Sequence, residues 1–167
     1  MSNKRISILF SLLPQSKIIA DVGCDHGYLV NKIAQSNIAD MVVGSEISKG
    51  SLEKAKSNFN YDLAKIPVEF IFSDGLKLYD KIKPDCVVIA GMGGCEIIKI
   101  LQDYEYKESI KTLVLQPMRN QDKLRLFLQK NYFIEKDFIV KIKDVFYTFI
   151  LAVKGSDNLN EEEIIID

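Results

Sequence analysis

The chain has 167 residues, 47% of them hydrophobic and 27% charged, which is the length and balance of one globular domain able to bury a core without disulfides or a structural metal. No apolar run approaches the ~20 residues of a membrane-spanning helix, so no membrane partner is expected. A formal net charge of -1 gives no global pull on nucleic acid, so any RNA contact has to come from a local basic patch.

The opening MSNKRISILFSLLP joins a basic start to a short apolar run, but no small-residue cleavage site follows. A short amphipathic helix ahead of the core is expected rather than a signal peptide. Residues 18–22, 41–47, 68–73, 86–90 and 112–116 are short, almost continuously apolar runs that predict buried strands. Helical patterning fills residues 27–35, 48–59, 94–104 and 120–130, with Ser48 and Asn120 in cap positions. The segment after Asp74 is shorter and weakly patterned. Residues 132–140 and 145–153 are strand-like and joined by the polar stretch 141–144, which predicts an antiparallel hairpin.

Strands without polar alternation imply a parallel sheet covered on both faces. The expected fold is therefore α/β and Rossmann-like, a mostly parallel seven-stranded sheet with helices on both faces and a C-terminal antiparallel hairpin. A dinucleotide-binding dehydrogenase would continue instead with another parallel unit and a substrate domain. The domain is expected to span residues 1–154. Residues 155–167, polar and acidic apart from three isoleucines, read as a fraying tail or the stub of a longer helix.

The chemistry concentrates at strand ends. Asp21-x-Gly23-x-Asp25-x-Gly27 lies where the first strand passes into a helix, the place where open α/β sheets bind ligands. A dinucleotide fingerprint would need glycines where Asp25 and Tyr28 stand, and Asp25 would face a pyrophosphate. A cationic sulfonium with an amino-acid tail suits that turn better. Glu46, followed by Ile47, ends the second strand, where a carboxylate can accept from ribose hydroxyls; Asp74, followed by Gly75, could accept from an adenine amino group. After the fourth strand, IAGMGG supplies Ala90, Gly91 and Met92 toward a cofactor and Gly93 and Gly94 toward a flat substrate. The fifth strand ends in Gln116, an amide donor and acceptor held by Pro117. Each of these also has a plain structural reading, as a turn glycine, a solvated strand end or a buried-loop amide.

Cys24, Cys86 and Cys95 form no C-x-x-C pair and read as reduced thiols of a cytoplasmic protein. One histidine and scattered cysteines provide no metal-ligand spacing, and no G-x-S-x-G elbow points to a hydrolase.

Together, DVGCDHGYL, the Glu46 strand end, SDGL, IAGMGG and LVLQP followed by QDKLRLFL resemble the bacterial tRNA adenine-22 N1-methyltransferase family, from about residue 5 to residue 153. The resemblance implies a class I methyltransferase fold, S-adenosyl-L-methionine as cofactor, and methyl transfer to N1 of an adenine in tRNA. Members of that family continue into a helical C-terminal domain, which this sequence, ending at Asp167, is expected to lack. Methylation of ribosomal RNA or a small metabolite, and a catalytically weak cofactor-binding module that needs a partner, are the alternatives. Nothing specifies an oligomer, so a monomer is the default.

For such a reaction, a carboxylate near N1 would stabilise charge developing on the base, and Asp25 is the candidate; an Asp before a helix equally suits a cap. His26 would act beside it by orienting Asp25. Tyr28 is placed to stack on an extruded base, as is Met92. Arg5 and Arg119, with Lys4, Lys123 and Arg125, lie on elements that could reach substrate phosphates.

Overall fold

The computed structural model describes residues 2–155. Helix α1 (Asn3–Ser11) is capped by Ser2, whose Oγ accepts from the Arg5 N–H at 3.4 Å, and it buries Ile6 and Leu9. Then β1 (Ser16–Val22), α2 (Tyr28–Ala34), β2 (Ala39–Glu46), α3 (Lys49–Asn58), β3 (Val68–Phe72), β4 (Cys86–Met92) and α4 (Gly94–Asp103) follow in order. A single turn of 3-10 helix leads to β5 (Thr112–Pro117), α5 (Gln121–Leu128), β6 (Tyr132–Ile142) and β7 (Val145–Lys154).

The seven strands form one sheet in the order β3-β2-β1-β4-β5-β7-β6. The first five are parallel, and β7 runs antiparallel between β5 and β6. Helices α1, α2 and α3 cover one face through Leu9, Val30, Ile33 and Ala55. Helices α4 and α5 cover the other through Ile97, Leu101, Leu124 and Leu128. Burial on both sides explains why β1, β2, β4 and β5 carry apolar runs instead of alternation. Strand order reverses between β1 and β4, so a crevice opens beyond their carboxyl ends.

The expected elements are present, with three differences. No helix forms between β3 and β4; the chain turns at Gly75 (φ +62°) and is pinned by the buried side chains of Leu76 and Tyr79. Asn120 sits at the start of α5 in a left-handed conformation (φ 55°), and its side chain caps nothing, whereas Ser48 accepts from the Ser51 N–H as expected. The terminal hairpin is longer than its apolar runs, with strand pairing up to Ile142 and Val145 around a turn at Lys143 and Asp144. The last pairs of β7 with β5 are at Leu115 and Ile150, so the tip of the hairpin extends past the sheet's C-terminal edge. The expectation for the tail beyond Gly155 lies outside the described residues.

Candidate active site

The turn leaving β1 is built from left-handed residues. Gly23 (φ +75°), Asp25 (φ 50°) and Gly27 (φ +76°) alternate with ordinary ones, so the backbone folds tightly enough to present N–H groups inward. The Gly23 and Cys24 N–H groups donate to the Ser45 carbonyl at 2.8 and 2.9 Å. The Asp25 N–H donates to Glu46 Oε2 at 3.1 Å, while Glu46 Oε1 accepts from the Ile47 and Ser48 N–H groups at 2.9 and 3.2 Å. Glu46 thus fixes the turns after both β1 and β2. With three of its roughly four acceptor positions filled, a ribose would share or displace a backbone donor.

A cavity of about 390 Å³ lies against these turns. Gly23, Glu46, Ile47, Asp74, Gly75 and Met92 line it, bringing together six of the residues expected to hold a cofactor. The far wall comes from α4, whose Glu96, Lys99, Ile100 and Asp103 were not anticipated. Their sequence signal was available in the amphipathic helix directly after the glycine turn. A Cβ at Gly23 would lie 2.5 Å from Met92 Cε, so the Met92 thioether packs directly against the turn at the edge of the cavity. Asp74 is engaged by Lys77 Nζ at 2.5 Å, an exposed pair that a ligand donor would have to compete with.

A small recess adjoins this cavity at Gly23, lined by Ile6, Asp21, Asp25, His26 and Tyr28. The cap reading of Asp25 is not supported, since the N-cap of α2 is Gly27 and receives no side-chain hydrogen bond. The exposed Asp25 carboxylate instead lies 3.6 Å from His26 Nε2, whose ring meets Tyr28 edge-on at 6.0 Å. Asp21 is buried beneath them. Burial first, then the charges of Glu46 and Asp25, pushes its carboxyl up from 3.8 to about 7. The same burial and acids raise the Cys24 thiol well above the ordinary range, so Cys24 is an inert core residue.

Other expected site residues serve the scaffold. Gly27 is buried against α3, where a Cβ would come within 3.1 Å of Ala55 Cβ. The spaces beside Gly93 and Gly94 are occupied by Arg119 and by the Asn120 backbone, so these glycines let the turn before α5 approach α4 rather than admitting a flat ligand. The Gly94 N–H also donates to the Arg119 carbonyl at 2.7 Å. Gly91 (φ +75°) is exposed and faces Arg5 Nη2 at 3.5 Å from where a Cβ would stand, and buried Ala90 precedes it at the end of β4.

Arg5 reaches from α1 to donate to Gln116 Oε1, and its guanidinium lies 4.5 Å from the centre of the Tyr147 ring. Gln116 is fully buried, with Nε2 donating to the Pro117 carbonyl at 3.3 Å. Arg5 is therefore turned inward instead of toward a phosphate, while Arg119 stays exposed above Gly93. Arg125 is engaged with Asp137 at 2.6 and 3.0 Å.

Among the described residues, no group of three or more His, Cys, Asp and Glu side chains could hold a metal ion, and no helix is long and apolar enough to cross a membrane. The sheet order, the antiparallel end and a strand-end cavity with Glu46 and Asp74 on one wall define a class I methyltransferase. Residues 2–150 match the model of the methyltransferase domain family. The chain belongs to that family. It is 36% identical to a Mycoplasma pneumoniae protein provisionally named a tRNA methyltransferase, over 98% of this chain and 78% of that one. It is 28% identical to the Bacillus subtilis tRNA (adenine(22)-N(1))-methyltransferase, over 93% and 66% of the two chains. The structure of M. capricolum TrmK in complex with S-adenosyl-homocysteine superposes with a TM-score of 0.81 at 28% identity, covering 96% of this chain and 73% of that one.

Proposed function

We propose that the chain transfers a methyl group from S-adenosyl-L-methionine to N1 of adenine 22 in tRNA, with residues 1–154 as the catalytic domain. The observation that carries this reading is the strand-end cavity, with the exposed Asp25 carboxylate and His26 beside it on the far side of Gly23. The cavity suits a cationic nucleoside. Its acids Glu46, Asp74, Glu96 and Asp103 outnumber Lys77 and Lys99, and Ile47, Met92 and Ile100 offer apolar surface to a flat ring.

When bound, S-adenosyl-L-methionine supplies an electrophilic methyl group on a cationic sulfur. Adenine N1 has an in-plane lone pair, so the chain has no strong base to provide, and its task is to align that lone pair at near-attack distance. Asp25, with His26 Nε2 3.6 Å away, stabilises the positive charge that grows on the base as the N–C bond forms. Asp21, buried behind the turn, places a second carboxyl near the cationic end of the cofactor. Tyr28, about half exposed at the recess, offers a ring to a base that has left its stack. The free cysteines fit a reducing cytoplasm, where tRNA is the substrate at hand.

Incubation with unmodified tRNA transcript and methyl-labelled cofactor, followed by nucleoside identification, tests this reading. Label in 1-methyladenosine at position 22 is the expected result. An unlabelled tRNA transcript, with label entering ribosomal RNA offered in a parallel reaction, or label in a different nucleoside, overturns it.

A further inference from the structure

We infer that the tip of the β6–β7 hairpin is an RNA-docking element, with Phe146 stacking on an unpaired base and Lys141 and Lys143 meeting the adjoining phosphates; this rests on the proposed RNA substrate. Strand alternation divides the hairpin into two faces. Phe138, Val140 and Tyr147 turn toward the core on the α1 side. Ile139, Lys141 and Phe146 lie on the other face, past the reach of α5, and nothing among the described residues covers them. Phe146 is 69% exposed and Ile139 is 62% exposed, while Thr148, the next residue inward on the same face, is buried. An exposed Phe is not required to hold the hairpin, whose pairing continues to Ile142 and Val145 on backbone bonds. Its ring is free on the solvent side and carries Lys141 Nζ 5.8 Å from its centre.

Location and charge select the partner. The tip projects beyond the C-terminal edge of the sheet, the edge on which the cavity opens, and Tyr147 next to Phe146 joins it to Gln116 through Arg5. The cavity itself is acidic, and the net charge of the chain is -1, so a polyanion can approach only where cations are gathered. The tip supplies two exposed lysines against one acid, Asp144, with the Phe146 ring beside Lys141, and exposed Arg119 follows β5 on the same edge. Phosphate contacts position a nucleic acid, and a stacked ring accepts any base, which is what a flanking grip on an unpaired nucleotide needs.

The test measures the affinity of the full chain for an unmodified tRNA transcript by fluorescence anisotropy, with S-adenosylhomocysteine affinity measured in parallel by calorimetry. Phe146→Ala should weaken tRNA binding about tenfold, and Phe146→Trp should restore it. Lys141→Ala/Lys143→Ala should weaken binding and flatten its salt dependence by about one to two in log-log slope. Phe133→Ala removes an exposed ring from the opposite end of β6 and should change nothing. Wild-type tRNA affinity in the tip variants overturns the inference, as does an equal loss in Phe133→Ala or a parallel loss of S-adenosylhomocysteine affinity. Tip-dependent tRNA binding by a chain that transfers no methyl would leave the docking element standing and remove the methylation reading. Methylation at adenine 22 with unaffected tip variants would do the reverse.

Discussion

The Asp25 backbone N–H donates to Glu46 Oε2, so the carboxylate that ends β2 holds the turn that leaves β1. One side chain thereby ties the end of β2 to a turn 21 residues earlier in the chain, and the cavity forms against both.

Glu46→Ala should therefore act on the fold as well as on the cofactor. Three backbone N–H groups lose their acceptor, at a cost of about 1–3 kcal/mol where they stay sheltered from water. The cofactor loses both a hydroxyl acceptor and a correctly shaped turn. Calorimetric titration with S-adenosylhomocysteine should show at least a tenfold loss of affinity, and thermal melting should show a lowered Tm. Glu46→Gln keeps one acceptor oxygen and should fall between the two. An unchanged Kd in the alanine variant would remove Glu46 from the binding site.

Asp21 makes stability fall with rising pH. Its carboxyl is pushed up from 3.8 to about 7, so between those values the folded chain holds a proton that the unfolded chain has released. That contribution is fully present below the unfolded value and is lost as pH rises through about 7, worth roughly 4 kcal/mol across the window. Asp21→Asn lacks the titration. Urea unfolding from pH 4.5 to 8 should show the variant gaining on the wild type as pH rises, and a difference independent of pH would contradict this account. A cationic cofactor beside Asp21 favours its ionised form, so cofactor binding near neutral pH should release protons, visible in buffers of different ionisation enthalpy.

The fold was legible because its signals are local and repeated. Apolar runs such as IIADV and CVVIA, each followed by a turn and a helical period, determine strand and helix type without tertiary information. Gly23, Glu46 and Asp74 were legible for the same reason, since each stands at a strand end and the sheet brings strand ends together. The sequence could not show which way a side chain turns. Arg5 and Gln116 were both placed near the crevice, but their bond spans 111 residues and no local pattern records it. The glycines of IAGMGG look alike in sequence, yet Gly91 is exposed beside the Arg5 guanidinium while the spaces at Gly93 and Gly94 are filled by Arg119 and Asn120. The wall from α4 was missed because Lys99, Ile100 and Asp103 carry no motif; only the helix position after the glycine turn puts them there.

Gly94 and Gly50 should respond in opposite senses to alanine. A Cβ at Gly94 would collide with the Asn120 carbonyl and stand 3.0 Å from the Arg119 carbonyl oxygen, both rigid backbone atoms. Either α4 shifts or the turn before α5 does, at a cost of about 1–3 kcal/mol or more. Gly50 lies exposed in α3, and an alanine methyl there would meet only Ser48 Oγ, at 3.9 Å, so the substitution should add about 0.4–1 kcal/mol by limiting the unfolded chain. Chemical unfolding midpoints of the two variants check both signs. Stabilisation of Gly94→Ala would refute the packing described for that turn.

The bond from Arg5 to Gln116 should appear as a coupling rather than as two separate losses. Gln116 is fully buried, so Arg5→Ala strands its carbonyl without a donor and should destabilise the chain by about 1–3 kcal/mol. Arg5→Lys keeps the charge but loses the planar guanidinium that faces Tyr147 and Gln116 together, and should recover only part of that loss. In Gln116→Ala the guanidinium is left partly buried, its Nε already without a partner among the described residues. Removing both side chains should cost less than the sum of the single changes, with a coupling of about 0.5–3 kcal/mol in a double-mutant cycle on unfolding free energy. The same cycle on methyl transfer separates scaffold from chemistry. If Arg5 acts only by anchoring α1 and β5, activity losses will follow the stability losses at each temperature. If Gln116 must stay fixed to orient the target base, kcat/KM will fall at temperatures where every variant is fully folded. Strictly additive unfolding energies would show that the two side chains do not meet in solution.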